Sequence, residues 1–218
     1  MCALFSRKSL TNYISPEIEV GFSQFGPTLM IGGILSSEKV YLIDHISTTV
    51  EIPSKAFKKD FDWFTLQPHT ALENKFEIFQ TPSKFTLSPN SPYTYNILFA
   101  DNQCYAEMKT VMLNVSSTWQ FFLEKSKDRP YVQIYTEFLE ASMTQELNGM
   151  LRSLCYWKEA SYNLRFCISA KGGESTTEKT FELKEPDIVT LQNNCSDIIA
   201  NICSQPSVSF DSIKTNLS

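Results

Sequence analysis

The chain has 218 residues and a formal net charge of −5. Because nucleic-acid and anionic-membrane surfaces need concentrated Lys and Arg, this acidic balance argues against both kinds of partner. Hydrophobic residues make up 42% of the chain and charged residues 20%, a composition that excludes general disorder and favours a globular core.

The sequence predicts a cytoplasmic protein without a cofactor. Arg7 and Lys8 near the N-terminus are not followed by an apolar stretch of signal-peptide length. The longest apolar run, 29–35, is far too short to span a bilayer. Six cysteines occur without a C-x-x-C pair and with only two histidines, so the usual zinc-binding spacings are missing. We therefore expect reduced, buried thiols.

Short strands with frequent turn residues are predicted between 16 and 101. In the long third run Asp44 breaks the alternation of apolar side chains, which indicates a bend or a bulge. This pattern is typical of an antiparallel β-sandwich. The predicted strands are 18–25, 28–35, 40–52, 61–66, 75–79, 84–87 and 93–99.

The glycine-rich second run, the long third run and the succession of short strands are similar to arrestin-like and immunoglobulin-like sandwiches. Cys155 and Trp157, followed by Tyr162, also resemble immunoglobulin sequences. The cysteine spacing does not match the immunoglobulin disulfide, and the surrounding pattern is helical. No site, activity or partner is therefore carried over from either family.

The hydrophobic period changes at Asp101. Before it, apolar residues alternate as in a strand, and after it they recur every three or four residues, which predicts a helix over 101–125. Trp119, Phe121 and Phe122 widen its apolar arc. If part of this arc is exposed, we expect an association surface there, because Trp and Phe are enriched in interface cores. The stripe consists of Tyr105, Met108, Met112, Val115, Trp119 and Phe122.

The second half is predicted as helix-β-α-β-β-α. After the 101–125 helix we expect a strand over 131–138 and a helix that begins near Ser142. A hairpin of 162–168 with 180–184 follows, and a last helix opens at Pro186 and ends before Pro206.

The predicted fold class is therefore α+β, with an antiparallel sandwich-rich N-terminal half. The predicted segments are an N-terminal extension 1–15, a β-sandwich-like region 16–125 that ends in the long helix, an α+β region 126–206 and a flexible tail 207–218. The region 126–206 either forms its own core or shares that of the first region.

Candidate chemistry is sparse. Asp60 and Asp62, two residues apart, share a strand face and could bind a divalent ion, although salt bridges to Lys58 or Lys59 are the simpler account. His45 could act with a cysteine distant in sequence.

Three functions are open. The first is a non-catalytic protein–protein interaction module that uses Trp119, Phe121 and Phe122 to bind a partner protein or a second copy. The alternative is a binder of a small molecule or peptide, in an aromatic pocket between sheet and long helix lined by Trp63 and Trp119. The third is an enzyme whose site uses Asp60 and Asp62 or His45.

Overall fold

The computed structural model describes residues 10–70, 75–76, 80–126, 128–171, 173–204 and 210–218. The strands before the first helix are β1 Thr11–Ser23, β2 Gly26–Ser36, β3 Tyr41–Ile52, β4 Phe57–Thr70, β5 Lys75–Phe76, β6 Phe85–Leu87 and β7 Tyr93–Ala100. The remaining elements are α1 Asn102–Lys125, α2 Tyr131–Glu140, α3 Ser142–Leu154, β8 Ala160–Ala170, β9 Gly173–Leu183, α4 Glu185–Ser204 and β10 Ser212–Asn216.

The strands of the described residues form one antiparallel sheet in the order β10-β1-β2-β7-β4-β3-β8-β9, with β5 on β4 and β6 on β3. Beyond β10, Ser218 exchanges two backbone hydrogen bonds of 3.0 Å with Thr180 of β9. The sheet is therefore nearly closed and barrel-like. The structure confirms the predicted α+β class and the mostly antiparallel sheet. It does not confirm a two-sheet sandwich.

Irregular pairing curves this sheet. The register of β3 against β8 shifts between Ile43 and His45, which confirms the irregularity predicted at Asp44. Further shifts occur between Ile14 and Ile18 of β1 and between Trp63 and Thr65 of β4. Such bulges increase local twist and let a sheet bend towards closure.

Aromatic side chains from several strands pack together in the buried core. Phe166 of β8 lies 5.7 Å from the ring of Phe99 and 6.2 Å from that of Tyr95. The Tyr95 hydroxyl is buried and donates a 2.8 Å hydrogen bond to Asn12 Oδ1. Because β8 contributes to the same buried cluster as β2 and β7, residues on both sides of 126 pack in one core.

Two polar residues attach the helices to the sheet. Asp101 caps α1 by accepting a 3.0 Å hydrogen bond from the Cys104 N–H, so the predicted helix over 101–125 is confirmed. On α4, the buried Asn194 amide donates to the carbonyls of Phe22, at 2.9 Å, and Asp211, at 2.8 Å. Asn194 thereby connects the last helix to β1 and to the segment before β10.

The prediction of a strand over 131–138 is wrong, because α2 occupies Tyr131–Glu140. Its aromatic and β-branched residues favour a strand locally. Ile134 and Phe138, about one helical turn apart, are both buried.

The ends of the chain also differ from expectation. Thr11–Ile14, inside the expected extension 1–15, pairs with β2. Ser212–Asn216, inside the expected flexible tail 207–218, forms β10 on β1. Strand β9 begins at Gly173 rather than near 180, which makes the hairpin with β8 longer and its loop shorter. Residues 71–74 and 77–79, Cys2 and Pro206 lie outside the described residues.

In the described part of the chain, the helices are too short or too polar to cross a bilayer.

Candidate functional site

Trp119, the centre of the predicted association surface, is a core residue. It is only 3% exposed. Its ring meets three rings of α2 edge-on, with centroid distances of 5.2 Å to Phe138, 5.7 Å to Tyr131 and 6.1 Å to Tyr135. Helix α2 covers this end of the α1 stripe, so Trp119 contributes packing rather than contact surface.

The two phenylalanines differ from one another. Phe122 is half-buried and packs 5.6 Å from Phe138. Phe121 is 50% exposed, with the Lys125 ammonium 4.2 Å above its ring. Of the three predicted partner-binding residues, only Phe121 presents a large exposed apolar surface.

The structure brings His45 and Asp62 together. His45 Nε2 lies 3.2 Å from Asp62 Oδ1, and Asn102 donates a 2.6 Å hydrogen bond to Asp62 Oδ2. Asp60 instead accepts a 2.7 Å hydrogen bond from the Thr49 hydroxyl. Within the described residues no group of three or more His, Cys, Asp or Glu side chains is placed to hold a metal ion. The expected salt bridges also differ, because Lys59 pairs with Asp101 at 3.5 Å.

Cys167 lies on β8, the strand that pairs with the part of β3 that contains His45. His45 pairs with Ser169, while Cys167 stands two residues along β8, opposite Ser47. The Cys167 thiol donates to the Glu174 carboxylate. Partial burial and then Glu174 raise the pKa of this thiol, so it is a weaker nucleophile than an ordinary cysteine.

Asp101 forms a closed polar cluster at the start of α1. Besides capping the helix, it accepts a 3.2 Å hydrogen bond from the Tyr156 hydroxyl and pairs with Lys59, whose ammonium lies 4.6 Å from the Tyr156 ring centroid. Burial, followed by Asp101, strongly raises the pKa of Tyr156. The partners of Asp101 are all supplied by the fold, which indicates an anchoring role.

Trp63 and Trp119 were predicted to line one aromatic pocket. Trp63 of β4 lies edge-on to His45, with ring centroids 5.6 Å apart, and Trp119 packs against α2. They contact different partners in different parts of the molecule.

Two depressions on the sheet carry mixed charges. One of about 340 Å³ on the outer face includes Lys58 and Arg165 together with Glu51 and Glu178. The other, of about 650 Å³ along the β9–β10 seam, includes Lys184 and Lys214 beside Glu182 and Asp187. The first also includes Lys179, so it has three basic side chains and two carboxylates, whereas the second has two of each.

A groove of different character lies between α2, α3 and α4. It has a volume of about 230 Å³. We call it the helical groove. Its lining consists of Tyr135 and Leu139 from α2, Thr144, Gln145 and Asn148 from α3, and Ser196 and Ile199 from α4. None of these residues carries a formal charge at neutral pH.

Two buried oxygen atoms of residues that line the helical groove lack partners. Thr144 is 2% exposed, and its Oγ1 has no hydrogen-bond partner among the described residues. The same holds for Asn148 Oδ1. Buried polar groups in folded proteins are nearly always hydrogen-bonded, and Asn12 Nδ2 and Thr65 Oγ1, outside the groove, share this property with the two groove residues.

The rim of the helical groove is apolar. Val132, Tyr135 and Leu139 of α2 are spaced by three and four residues and therefore share one helix face. Val132 is 71% exposed and Leu139 36% exposed. Partial burial and then the nearby Cys203 raise the pKa of Tyr135, so its hydroxyl stays neutral and can donate a hydrogen bond.

Sequence reasoning missed the helical groove because it assigned 131–138 to a strand. The signal was present, since Val132, Tyr135 and Leu139 have helical spacing and so do Ile134 and Phe138. Two helical stripes on one short segment are typical of a helix that is buried on one side and exposes apolar residues on another.

Comparison with protein-family models, with curated proteins and with solved structures found no significant match. The candidate sites are therefore distinguished by their geometry alone.

Proposed function

We propose that this protein is a non-catalytic interaction module that holds a segment of a partner protein in the helical groove. The observation that carries the proposal is an uncharged groove between three helices, bordered on α2 by the exposed side chains of Val132 and Leu139. The lining combines the apolar Leu139 and Ile199 with uncharged polar side chains, and a concave surface with both kinds of group is typical of a binding site. The uncharged lining suits recognition better than acid–base chemistry.

Charge complementarity indicates the nature of the partner segment. One acidic residue directly follows a lining residue on each helix, namely Glu140 on α2, Glu146 on α3 and Asp197 on α4. In the described part of the chain none of the three forms a salt bridge. An apolar segment flanked by Lys or Arg therefore fits best, since opposite charges around an interface favour encounter and orientation.

A cytoplasmic protein partner is part of this proposal. Five cysteines of the described residues are free, which supports a reducing compartment. The net charge of −5 supports a protein partner over a nucleic acid.

Selection from a random peptide display library on the purified protein tests the proposal. We expect apolar peptides with flanking Lys or Arg, whose affinity falls as salt concentration rises. Val132→Glu and Leu139→Glu should each weaken binding about tenfold or more by placing a charge on the apolar rim.

Leu113→Glu is the matched control. Leu113 is 67% exposed on α1 and does not line the helical groove. Circular dichroism should show all three variants folded. A library that yields no binder, or binders weakened equally by Leu113→Glu, would refute the proposal.

A further inference from the structure

The first turns of α2 carry an aromatic surface that continues from the helical groove. Tyr131 and Tyr135 are four residues apart, and their rings are stacked, with centroids 6.0 Å apart and planes 8° from parallel. Tyr135 lines the helical groove, and Tyr131 is 46% exposed. We call these two residues the tyrosine pair.

The core holds the tyrosine pair in place. The buried Trp119 of α1 lies edge-on to both rings, with centroid distances of 5.7 Å to Tyr131 and 6.1 Å to Tyr135. The Tyr131 hydroxyl also donates a 3.3 Å hydrogen bond to the Cys203 carbonyl of α4. A side chain that binds the exposed ring surface therefore meets rings that are already ordered, which lowers the entropy cost of binding.

The hydrogen bond to Cys203 also places Tyr131 at the C-terminal end of α4, which ends at Ser204. The carbonyl groups in the last turn of a helix carry partial negative charge and attract cations. The last turn of α4 contains no basic residue, and neither does the sequence from 205 to 209. The chain therefore supplies no cation of its own next to the negative end of α4 in sequence.

A carboxylate and the rings themselves add to this negative potential. The face of an aromatic ring is the negative part of its quadrupole. Burial raises the pKa of Tyr135, and the nearby Asp197 of α4 contributes to the same shift. Among the described residues Asp197 forms no salt bridge, and Arg129, two residues before α2, is paired with Glu137 instead.

These features favour one kind of side chain. A carboxylate of the partner would be repelled by the C-terminal end of α4 and by Asp197. A neutral side chain would gain contact with the rings but no electrostatic attraction. Arg has a planar guanidinium that stacks on aromatic rings, and it is more weakly hydrated than the ammonium group of Lys, so it loses less on contact with a ring.

We propose that the tyrosine pair binds an arginine of the partner segment, whose guanidinium stacks on the exposed ring surface of Tyr131, beside the C-terminal carbonyl groups of α4 and with Asp197 as a counter-charge. This inference rests on the proposed function and specifies which basic residue of the segment is recognised and where. The helical groove and its apolar rim hold the neighbouring apolar part of the segment.

The peptides selected by display on the full chain test the inference. We expect Arg at one fixed position at one end of the apolar residues. Citrulline keeps the shape and the planar head group of Arg but has no charge. Replacing this Arg by citrulline should weaken binding about tenfold, the effect of a partly desolvated cation–π contact, and replacing it by Lys about threefold.

Variants of the protein test the same contact from the other side. Tyr131→Leu should weaken binding of the arginine peptide about fivefold or more, and Tyr131→Phe, which keeps the ring, should retain most of the affinity. Asp197→Asn should weaken binding about threefold. Tyr13→Leu is the matched control, because Tyr13 is 64% exposed on β1 and does not line the helical groove. Circular dichroism should show all four variants folded.

A double-mutant cycle separates recognition of the charge from a general effect on α2. Tyr131→Leu should weaken binding of the citrulline peptide much less than that of the arginine peptide. Asp197→Asn should leave the affinity of the citrulline peptide unchanged.

The outcomes distinguish the two proposals. If no peptide binds, both proposals fail. If peptides bind and depend on Val132 and Leu139 but tolerate citrulline in place of every Arg, only the arginine site is refuted. The same conclusion follows if Lys replaces Arg without loss, or if Tyr131→Leu weakens binding no more than Tyr13→Leu.

Discussion

Thr144 and Asn148 lie one turn apart on α3, both residues line the helical groove, and each has a buried side-chain oxygen atom without a partner among the described residues. A fold that leaves such groups unsatisfied loses stability in the free protein.

The first prediction follows from this loss. Thr144→Val keeps the shape of the side chain and removes an unsatisfied hydroxyl, so the free energy of unfolding should stay unchanged or rise by about 1 kcal/mol. Thr118→Val removes a hydroxyl that donates to the Asn114 carbonyl at 2.8 Å, and should lower stability by about 0.5–1.5 kcal/mol. Urea denaturation of both variants measures the difference. Equal destabilisation would show that Thr144 is satisfied in the free protein.

A second prediction concerns the two ends of the aromatic arc on α1. Trp119 is 3% exposed and packs on three rings of α2, so Trp119→Ala should cost about 3–5 kcal/mol in the free energy of unfolding. Phe121 is 50% exposed, and Phe121→Ala should cost less than about 1 kcal/mol. Thermal and urea unfolding provide the measurement. A small effect at Trp119 would mean that α2 does not cover α1 in solution.

The third prediction concerns Asp60 and Asp62. The Asp60 carboxylate accepts a hydrogen bond from Thr49, and the Asp62 carboxylate contacts His45 and Asn102, at distances of 2.6–3.2 Å. We therefore expect millimolar Mg²⁺ or Ca²⁺ to leave the melting temperature unchanged, since a bound ion would raise it. An increase that disappears in the Asp60→Asn, Asp62→Asn double variant would instead establish a metal site there.

The fourth prediction uses the thiols. Burial raises the pKa of Cys195 to about 11, and burial also raises that of Cys203 to about 12. Because the thiolate is the reactive form, a thiol reagent at pH 8 should modify both slowly in the native protein. Mass spectrometry of the labelled peptides measures the rates. Rapid modification of either cysteine would show that α4 is not packed as described.

The same pKa shifts set the sign of a pH effect on stability. Unfolding returns each thiol to its ordinary pKa of about 9, so the unfolded state releases protons first as pH rises above that value. The contribution to stability is complete below pH 9 and is lost as pH rises towards the folded-state pKa. Urea denaturation at pH 8 and pH 10 should show the lower stability at pH 10, and the Cys195→Ala, Cys203→Ala variant should show a smaller decrease.

Much of the fold could be predicted from local patterns of hydrophobic residues in the sequence. The change of period at Asp101 predicts both the end of β7 and the start of α1, because strand and helix periodicities differ and Asp is a favoured N-cap. The broken alternation at Asp44 predicts the bulge in β3 for the same kind of reason. The candidate site was missed, because it depends on how three helices meet and residues 131–138 of one of them were predicted as a strand.

The sequence by itself therefore determines the parts of helices and strands that depend on interactions between residues close together in the chain. Tertiary structure decided the rest. Residues 131–138 have strand-forming composition, yet they form a helix whose Ile134 and Phe138 are buried, and Phe138 packs against Trp119 and Phe122 of α1. Ser212–Asn216 becomes a strand only because β1 offers it backbone partners nearly two hundred residues earlier in the chain. Burial and pairing with distant residues outweigh local propensity, since a weak conformational preference is smaller than the free energy of packing a side chain in a core.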